Sequence, residues 1–321
     1  MKKNYKYETH PNYIVKKPKL LYIDRYGKIY PDCKTYITPP ICHISDSNVL
    51  KTINDTFFGV GQTGIFNMIT IEVSSLCHAN CFYCFQKDQH RSEKYQYYDL
   101  LLPLLKQIKC YWLFFSGGEI LIQKDAMEFM EKIRKVCPDN WIHLKTNGNA
   151  DLDAILFVEQ TCDSLMVSFN GFSSASYNMI MQLDIYKTIR FCETLISNRK
   201  VNVGLKFLNS PAVISEAPSF LEWALSKKAQ CVVIQTAYNY IVEDEGKSTR
   251  INSTFDNCNE TYWNDIYIRV STMLNAILEK NKDNVNCGFN YLTADKELFQ
   301  LLSISEENQK LIRTDGVYVI E

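Results

Sequence analysis

No stretch of this 321-residue chain approaches the ~20 consecutive apolar residues that a membrane-spanning helix needs. A basic block and an acidic tail are also missing. Lys and Arg number 35 against 36 Asp and Glu, the net charge is −1, and the charges are spread along the chain. Neither a nucleic-acid partner nor a solvating tail is therefore expected. The first residues, Met1-Lys2-Lys3-Asn4-Tyr5, are basic, but no apolar h-region of about 7–15 residues follows, so no signal peptide is read. The expected location is cytoplasmic, with no membrane partner. Short repeats of the solenoid kind are absent too.

What is present is an ordinary globular composition, 46% apolar and 22% charged, with twelve cysteines. Without a signal peptide, and at this length, a disulfide framework is not expected. Buried thiol is the default for most of the cysteines. Cys110, Cys137, Cys162, Cys192 and Cys231 each adjoin or lie in apolar helix or strand patterns, and core packing is expected for them.

From residue 68 strands alternate with helices. The apolar pattern predicts strands at Met68–Val73, Tyr111–Phe115, Trp141–Lys145, Ser164–Phe169, Val201–Phe207 and Cys231–Tyr238. Helices are predicted near Tyr98–Ile108, Asp125–Val136, Leu152–Gln160, Ser176–Ser197 and Glu216–Ser226. Parallel strands need long crossovers, usually helical, so the pattern predicts an α/β fold with a parallel sheet. A full or partial barrel fits it better than an open sheet. Three regions follow. Residues 1–67 form an N-terminal extension with a hairpin (Leu20–Asp24, Lys28–Tyr30) and a short helix near Asn48–Asn54. Residues 68–240 form the barrel. Residues 241–321 form a C-terminal extension: a polar loop to 259, an amphipathic helix Thr261–Lys280, a helix near Lys296–Leu302 and a strand Val317–Ile320. An isolated hairpin is marginal in water, so Leu20–Tyr30 is expected to dock on the barrel or pair with another strand, Val317–Ile320 being a candidate.

The first barrel strand runs into Cys77-His78-Ala79-Asn80-Cys81-Phe82-Tyr83-Cys84. Soft thiolates this close suit an iron–sulfur cluster, with one iron left for another ligand. A Cys3His zinc site recruiting His78 or His90 is the alternative, as is chance. Position favours a reactive centre, because barrel enzymes place their chemistry at the C-terminal ends of strands.

Cys-x3-Cys-x2-Cys with Tyr83 before the last cysteine is similar to the signature of the radical S-adenosylmethionine (SAM) superfamily. The resemblance spans about residues 68–240. Gly117-Gly118-Glu119 resembles the family's GGE motif, Thr146-Asn147-Gly148 its TNG, and Ser168-Phe169-Asn170-Gly171 its S-x-D-G region. Ile120 stands where proline usually follows GGE, and Asn170 where aspartate is common.

The resemblance implies a partial (β/α)6 TIM-like barrel with a 4Fe-4S cluster on Cys77, Cys81 and Cys84. It implies reductive cleavage of SAM to a 5'-deoxyadenosyl radical that abstracts hydrogen from a substrate. A one-electron reductant such as flavodoxin or ferredoxin is the implied partner. Gly117 and Gly118 would let the backbone approach SAM closely, with Glu119 fixing the turn. Their other reading is a tight strand–helix turn. Ser168 and Asn170 become candidates for the ribose hydroxyls, on one face of a strand. Tyr83 becomes a candidate for adenine and Lys206 for the SAM carboxylate. Asn147 reads first as a turn former and second as a ligand.

Cys287-Gly288 and Thr314-Asp315-Gly316-Val317-Tyr318 are similar to fragments of the auxiliary-cluster extension, SPASM or twitch, of peptide-modifying members. The segment Ile23–Cys33 resembles the auxiliary hairpin at the other end of the chain. Cys33, Cys42, Cys258 and Cys287 would be the thiolates of such a cluster, though a degenerate extension without metal is the preferred reading. A lone Cys258 or Cys287 would otherwise suit a hydrogen-atom donor. The favoured substrate is a ribosomally made peptide. A small molecule (nucleotide, sugar or cofactor precursor) and a non-enzymatic zinc-binding or regulatory protein are the rivals.

Overall fold

The computed structural model describes residues 19–31, 39–81, 84, 97–209, 213–236, 240–244, 247–251, 260–286, 292–294 and 305–309. Six parallel strands form the centre of one sheet: β4 (Ile65–Glu72), β5 (Lys109–Ser116), β6 (Trp141–Thr146), β7 (Ser164–Phe169), β8 (Asn202–Asn209) and β9 (Cys231–Thr236), paired in sequence order. Between them run α2 (Tyr98–Gln107), α3 (Lys124–Val136), α4 (Asp153–Thr161), α5 (Ser174–Met181), α6 (Ile185–Asn198) and α7 (Ala217–Ser226). The parallel α/β architecture is as expected, and the sheet is an unclosed, partial barrel. Among the described residues its order is β12-β9-β8-β7-β6-β5-β4-β1-β2-β3, where β12 is Leu292–Ala294, β1 is Leu20–Ile23, β2 is Lys28–Tyr30 and β3 is Cys42–His43.

Alternation along the strands sets two faces. Leu113, Phe115, Ile142, Leu144, Leu165, Val167, Val203 and Leu205 are all buried on the helix-covered face. Phe207 and Phe169 meet Phe220 of α7 there, with ring centroids 5.1 and 5.3 Å apart. The inner face carries the residues between them. Trp112 stacks on Trp141 at 5.7 Å and Phe114 on His143 at 4.7 Å. Burial and the Lys145 charge lower the His143 imidazole to about 4, so it is neutral near pH 7.

The N-terminal hairpin, β1 (Leu20–Ile23) and β2 (Lys28–Tyr30), is part of this sheet: β1 pairs in parallel with β4. Its expected partner Val317–Ile320 lies outside the described residues. Arg25 Nη1 donates to Glu72 Oε1 at 2.5 Å, with both side chains buried, and Tyr22 Oη donates to Glu72 Oε2 at 3.2 Å. β3 (Cys42–His43) pairs with β2, and α1 (Val49–Phe58) follows. One continuous apolar core joins Leu21, Ile23, Ile29 and Ile53 of this region to the barrel and to Val270, Leu274 and Leu278 of α8 (Glu260–Asn286). Long as it is, α8 is not apolar enough to cross a membrane, and neither is any other helix among the described residues.

Two expectations need correction. The single helix Ser176–Ser197 is two helices. α5 is closed by its C-cap Gln182 in the left-handed region (φ +56°), and α6 begins at Ile185 after the N-cap Asp184, whose side chain accepts from Tyr186 N. The polar loop after residue 240 contains a hairpin, β10 (Tyr240–Asp244) with β11 (Lys247–Ile251). The helix near Lys296–Leu302 lies outside the described residues; α9 (Glu306–Gln309) is a further short helix.

Candidate functional site

β4 ends at Glu72, and the cysteine segment starts at Val73, with Val73–Leu76 leading into Cys77. The turn after β5 holds its first part. Gly118 N donates to Ser74 O at 2.6 Å and Glu119 N donates to Leu76 O at 2.8 Å. Gly117 has φ +130°, which L side chains rarely adopt, and a Cβ there would lie 2.3 Å from Ser74 O. On Gly118 a Cβ would lie 2.0 Å from Leu76 O. At both glycines the backbone of residues 74–76 approaches too closely for a side chain.

Glu119 ties that turn to the next strand. Its buried carboxylate accepts from Leu121 N at 3.1 Å and Thr146 Oγ1 at 2.7 Å through Oε1, and from Asn147 N at 2.7 Å through Oε2. Burial pushes the Glu119 carboxyl above its ordinary value, while these hydrogen bonds pull it down. Asn147 is a turn former, its Oδ1 accepting from Asn149 N at 2.9 Å, and it also reaches the cysteines: Nδ2 lies 4.0 Å from Cys77 Sγ. The left-handed end of α5 holds the middle of the segment. Asn80 N donates to Met181 O at 2.9 Å, and Asn80 Nδ2 donates to Gln182 Oε1 at 3.2 Å. Cys84 N donates to Cys81 O at 3.1 Å.

Cys77, Cys81 and Cys84 are half-buried, and none is in a disulfide. Three soft sulfur donors on one short, firmly anchored segment fit an iron–sulfur cubane, which takes one thiolate per iron. Among the described residues no three His, Cys, Asp or Glu side chains converge on a single ion site. His78 is hydrogen-bonded to Asn149, and burial lowers its imidazole below the ordinary value. His90 lies outside the described residues.

On the inner face, Ser168 and Lys206 are direct partners across β7 and β8, both half-buried. Asn170 departs from the expected register. β7 ends at Phe169, so Asn170 is buried beyond the strand, with Nδ2 donating to Met181 Sδ at 3.1 Å. The loop after it is fixed by Glu216, which accepts from Phe172 N at 2.5 Å, Ser173 N at 3.1 Å and Ser176 Oγ at 2.7 Å. Tyr83, Cys33, Cys258 and Cys287 lie outside the described residues. Cys42, on β3, is half-buried, and burial together with Asp46 pushes its thiol up to about 11. Of the five cysteines expected in the core, Cys137, Cys162 and Cys192 are buried, and Cys110 and Cys231 are half-buried.

Gln123, Asn80 and Glu216 carry much of this scaffold, and sequence reasoning did not single them out. Their partners are 47, 101 and about 40 positions away, so no local pattern announces them.

Residues 71–206 match the family model described as the Radical SAM superfamily. Among solved structures, the fold is similar to Streptococcus suis SuiB bound to S-adenosylmethionine, with TM-score 0.52 and 12% identity over 73% of this chain and 52% of that one. It is also similar to native anSMEcpe with bound AdoMet and Cp18Cys peptide, with TM-score 0.53 and 18% identity over 76% and 68%. A probable GTP 3',8-cyclase of Pyrococcus abyssi is 27% identical over 121 residues, which is 36% of this chain and 39% of the cyclase. The chain thus matches about two-fifths of that curated relative and about half of SuiB.

Proposed function

We propose, from the match of residues 71–206 to the Radical SAM superfamily model, that this chain is a radical SAM enzyme acting on a ribosomally made peptide. The observation that carries the proposal is the anchored cysteine segment: three thiols at the C-terminal end of β4, held by the glycine turn, Asn147 and the end of α5. Cys77, Cys81 and Cys84 would each hold one iron of a 4Fe-4S cluster. When bound, that cluster and SAM supply a 5'-deoxyadenosyl radical able to abstract hydrogen. The protein's part is to position and shield. Ser168 and Lys206, side by side on the inner face, would contact the ribose and carboxylate of SAM. Asn170, its amide turned to Met181, would shape the wall beside them. The Gly117–Glu119 turn and Asn147 would border the methionyl end, and Tyr83 the adenine. A one-electron reductant such as flavodoxin or ferredoxin would dock near the cysteine segment.

A peptide substrate is supported by the SPASM-like fragments and by two structures of similar fold, SuiB bound to precursor peptide SuiA and anSMEcpe with Cp18Cys peptide. We further propose that residues 1–67 and 260–321 pack against the barrel and shape the substrate entrance. The similarity to a GTP 3',8-cyclase favours a second reading, a nucleotide or other small-molecule substrate. A short precursor gene beside this one would favour the peptide.

The test is anaerobic reconstitution followed by dithionite reduction with SAM. About four irons and four sulfides per chain are expected. 5'-Deoxyadenosine should form with the wild-type protein and vanish in Cys77→Ala, Cys81→Ala and Cys84→Ala while the barrel stays folded. Zinc alone in the purified protein, or wild-type 5'-deoxyadenosine from Cys81→Ala, would overturn the assignment.

A further inference from the structure

Gln123 stands four residues after Glu119, across the short helical turn Ile120–Ile122. Ile120 and Leu121 are buried, so the turn is pinned by apolar packing independently of Gln123. The fold brings the Gln123 side chain, itself 3% exposed, back onto the cysteine segment. Its Nε2 donates to Leu76 O at 3.1 Å and to Glu119 O at 2.8 Å. Leu76 O therefore accepts two bonds, one from Glu119 N at 2.8 Å and one from Gln123, and Leu76 is the residue directly before Cys77. At the other end of the same amide, Oε1 is buried with no hydrogen-bond partner among the described residues.

That asymmetry is informative. A buried acceptor without a donor is costly, yet turning the amide over would set its oxygen against two carbonyl oxygens. The donor end therefore fixes the orientation. Two donors on one carbonyl hold the plane of the Leu76–Cys77 peptide, and with it the position of the Cys77 Cα.

We propose that Gln123 is a positioning residue for the cluster: it locks the Leu76 carbonyl and so presents Cys77 in the geometry its iron requires. The proposal deepens the function above and rests on the reading of Cys77 as a cluster ligand. Its first measurement does not need that reading.

Gln123→Met keeps the side-chain length and removes the donor. In the metal-free protein, hydrogen exchange at the Gly118 and Glu119 amides, which bond the same segment, should quicken about tenfold, while β7 and β8 are unchanged. In the anaerobically reconstituted protein, iron should load but pass to a ferrous chelator several-fold faster than from wild type. The change that SAM induces in the EPR spectrum of the reduced protein should be altered in shape. Gln123→Asn withdraws the amide by one methylene and should move every readout the same way, should the Met variant fail to fold. If wild type binds iron, and both variants match it in amide exchange, iron release and spectrum, Gln123 is not a positioning residue. If wild type binds no iron but exchange still quickens, the clamp stands and the cluster assignment fails.

Discussion

The two ends of the site are built from different material. At the β5–β6 end, backbone meets backbone: two glycines against Ser74–Leu76, and one buried carboxylate joining three donors. At the β7–β8 end, half-buried side chains, Ser168 and Lys206, stand on the inner face. The first end tolerates almost no added volume. The second can lose a group and keep its fold. Two carboxylates repeat the contrast. Burial dominates at Glu119 and raises its value, whereas hydrogen bonds win at half-buried Glu216 and lower it.

The contrast is broken most sharply by Gly118→Val. The close approach is to Leu76, so the substitution should displace the cysteine segment and cost about 3 kcal/mol of stability. Iron loading should fall along with SAM binding. Calorimetry and iron analysis check this, and a variant that loads iron normally but loses SAM would return the glycines to a cofactor-facing role. Next comes the other end. Ser168→Ala and Lys206→Met should each weaken SAM binding by about tenfold, the worth of one good hydrogen bond, with the melting temperature nearly unchanged. Isothermal titration of the loaded protein reads this directly, and unaltered affinity in both would remove these residues from the SAM site.

A smaller effect separates the carboxylates by pH. The lowered value at Glu216 means that its stabilisation is complete above about 4.5 and is lost as pH falls through the folded value. The advantage of wild type over Glu216→Gln, about 1 kcal/mol or less for a half-exposed group, should fade in acid. Glu119 runs the other way: its raised value makes wild type lose ground as pH rises from about 4.5. Melting curves between about pH 3 and 7 would show two slopes of opposite sign. The smallest effect is expected from Cys42→Ser. Its thiol is protonated near neutrality, and iron content should not change. A loss of several irons would instead place Cys42 in an auxiliary cluster.

Strands were the legible part of the fold. Ser164–Phe169 shows period-two burial that its composition announces, and it occurs at those residues. The break in Ser176–Ser197 was hidden because Met181, Ile185 and Ile189 keep a four-residue helical spacing across it. Its local trace is Asp184, an N-cap in mid-pattern, since Gln182 has no composition that signals a left-handed residue. The hairpin after residue 240 was masked by polarity, although Glu245-Gly246 between its strands is a turn-like pair. In the site, the motifs located the right strand ends, because glycines and short polar residues mark turns. They did not show what the turns touch. The Gly118–Leu76, Asn80–Met181 and Glu216–Ser176 contacts join segments far apart in sequence, and only the folded chain brings them together.

The Arg25–Glu72 pair carries a consequence for descent. Both charges are buried, so losing either partner leaves the other charge without its counter-ion, at a cost of about 3–5 kcal/mol. Replacing both together by a well-packed apolar couple can be nearly neutral. A lineage therefore has a valley between two tolerable states and no easy single step across it. In related sequences positions 25 and 72 should covary: either both ionic or both uncharged. The hairpin and the strand that leads to the cysteines are thereby inherited as a unit.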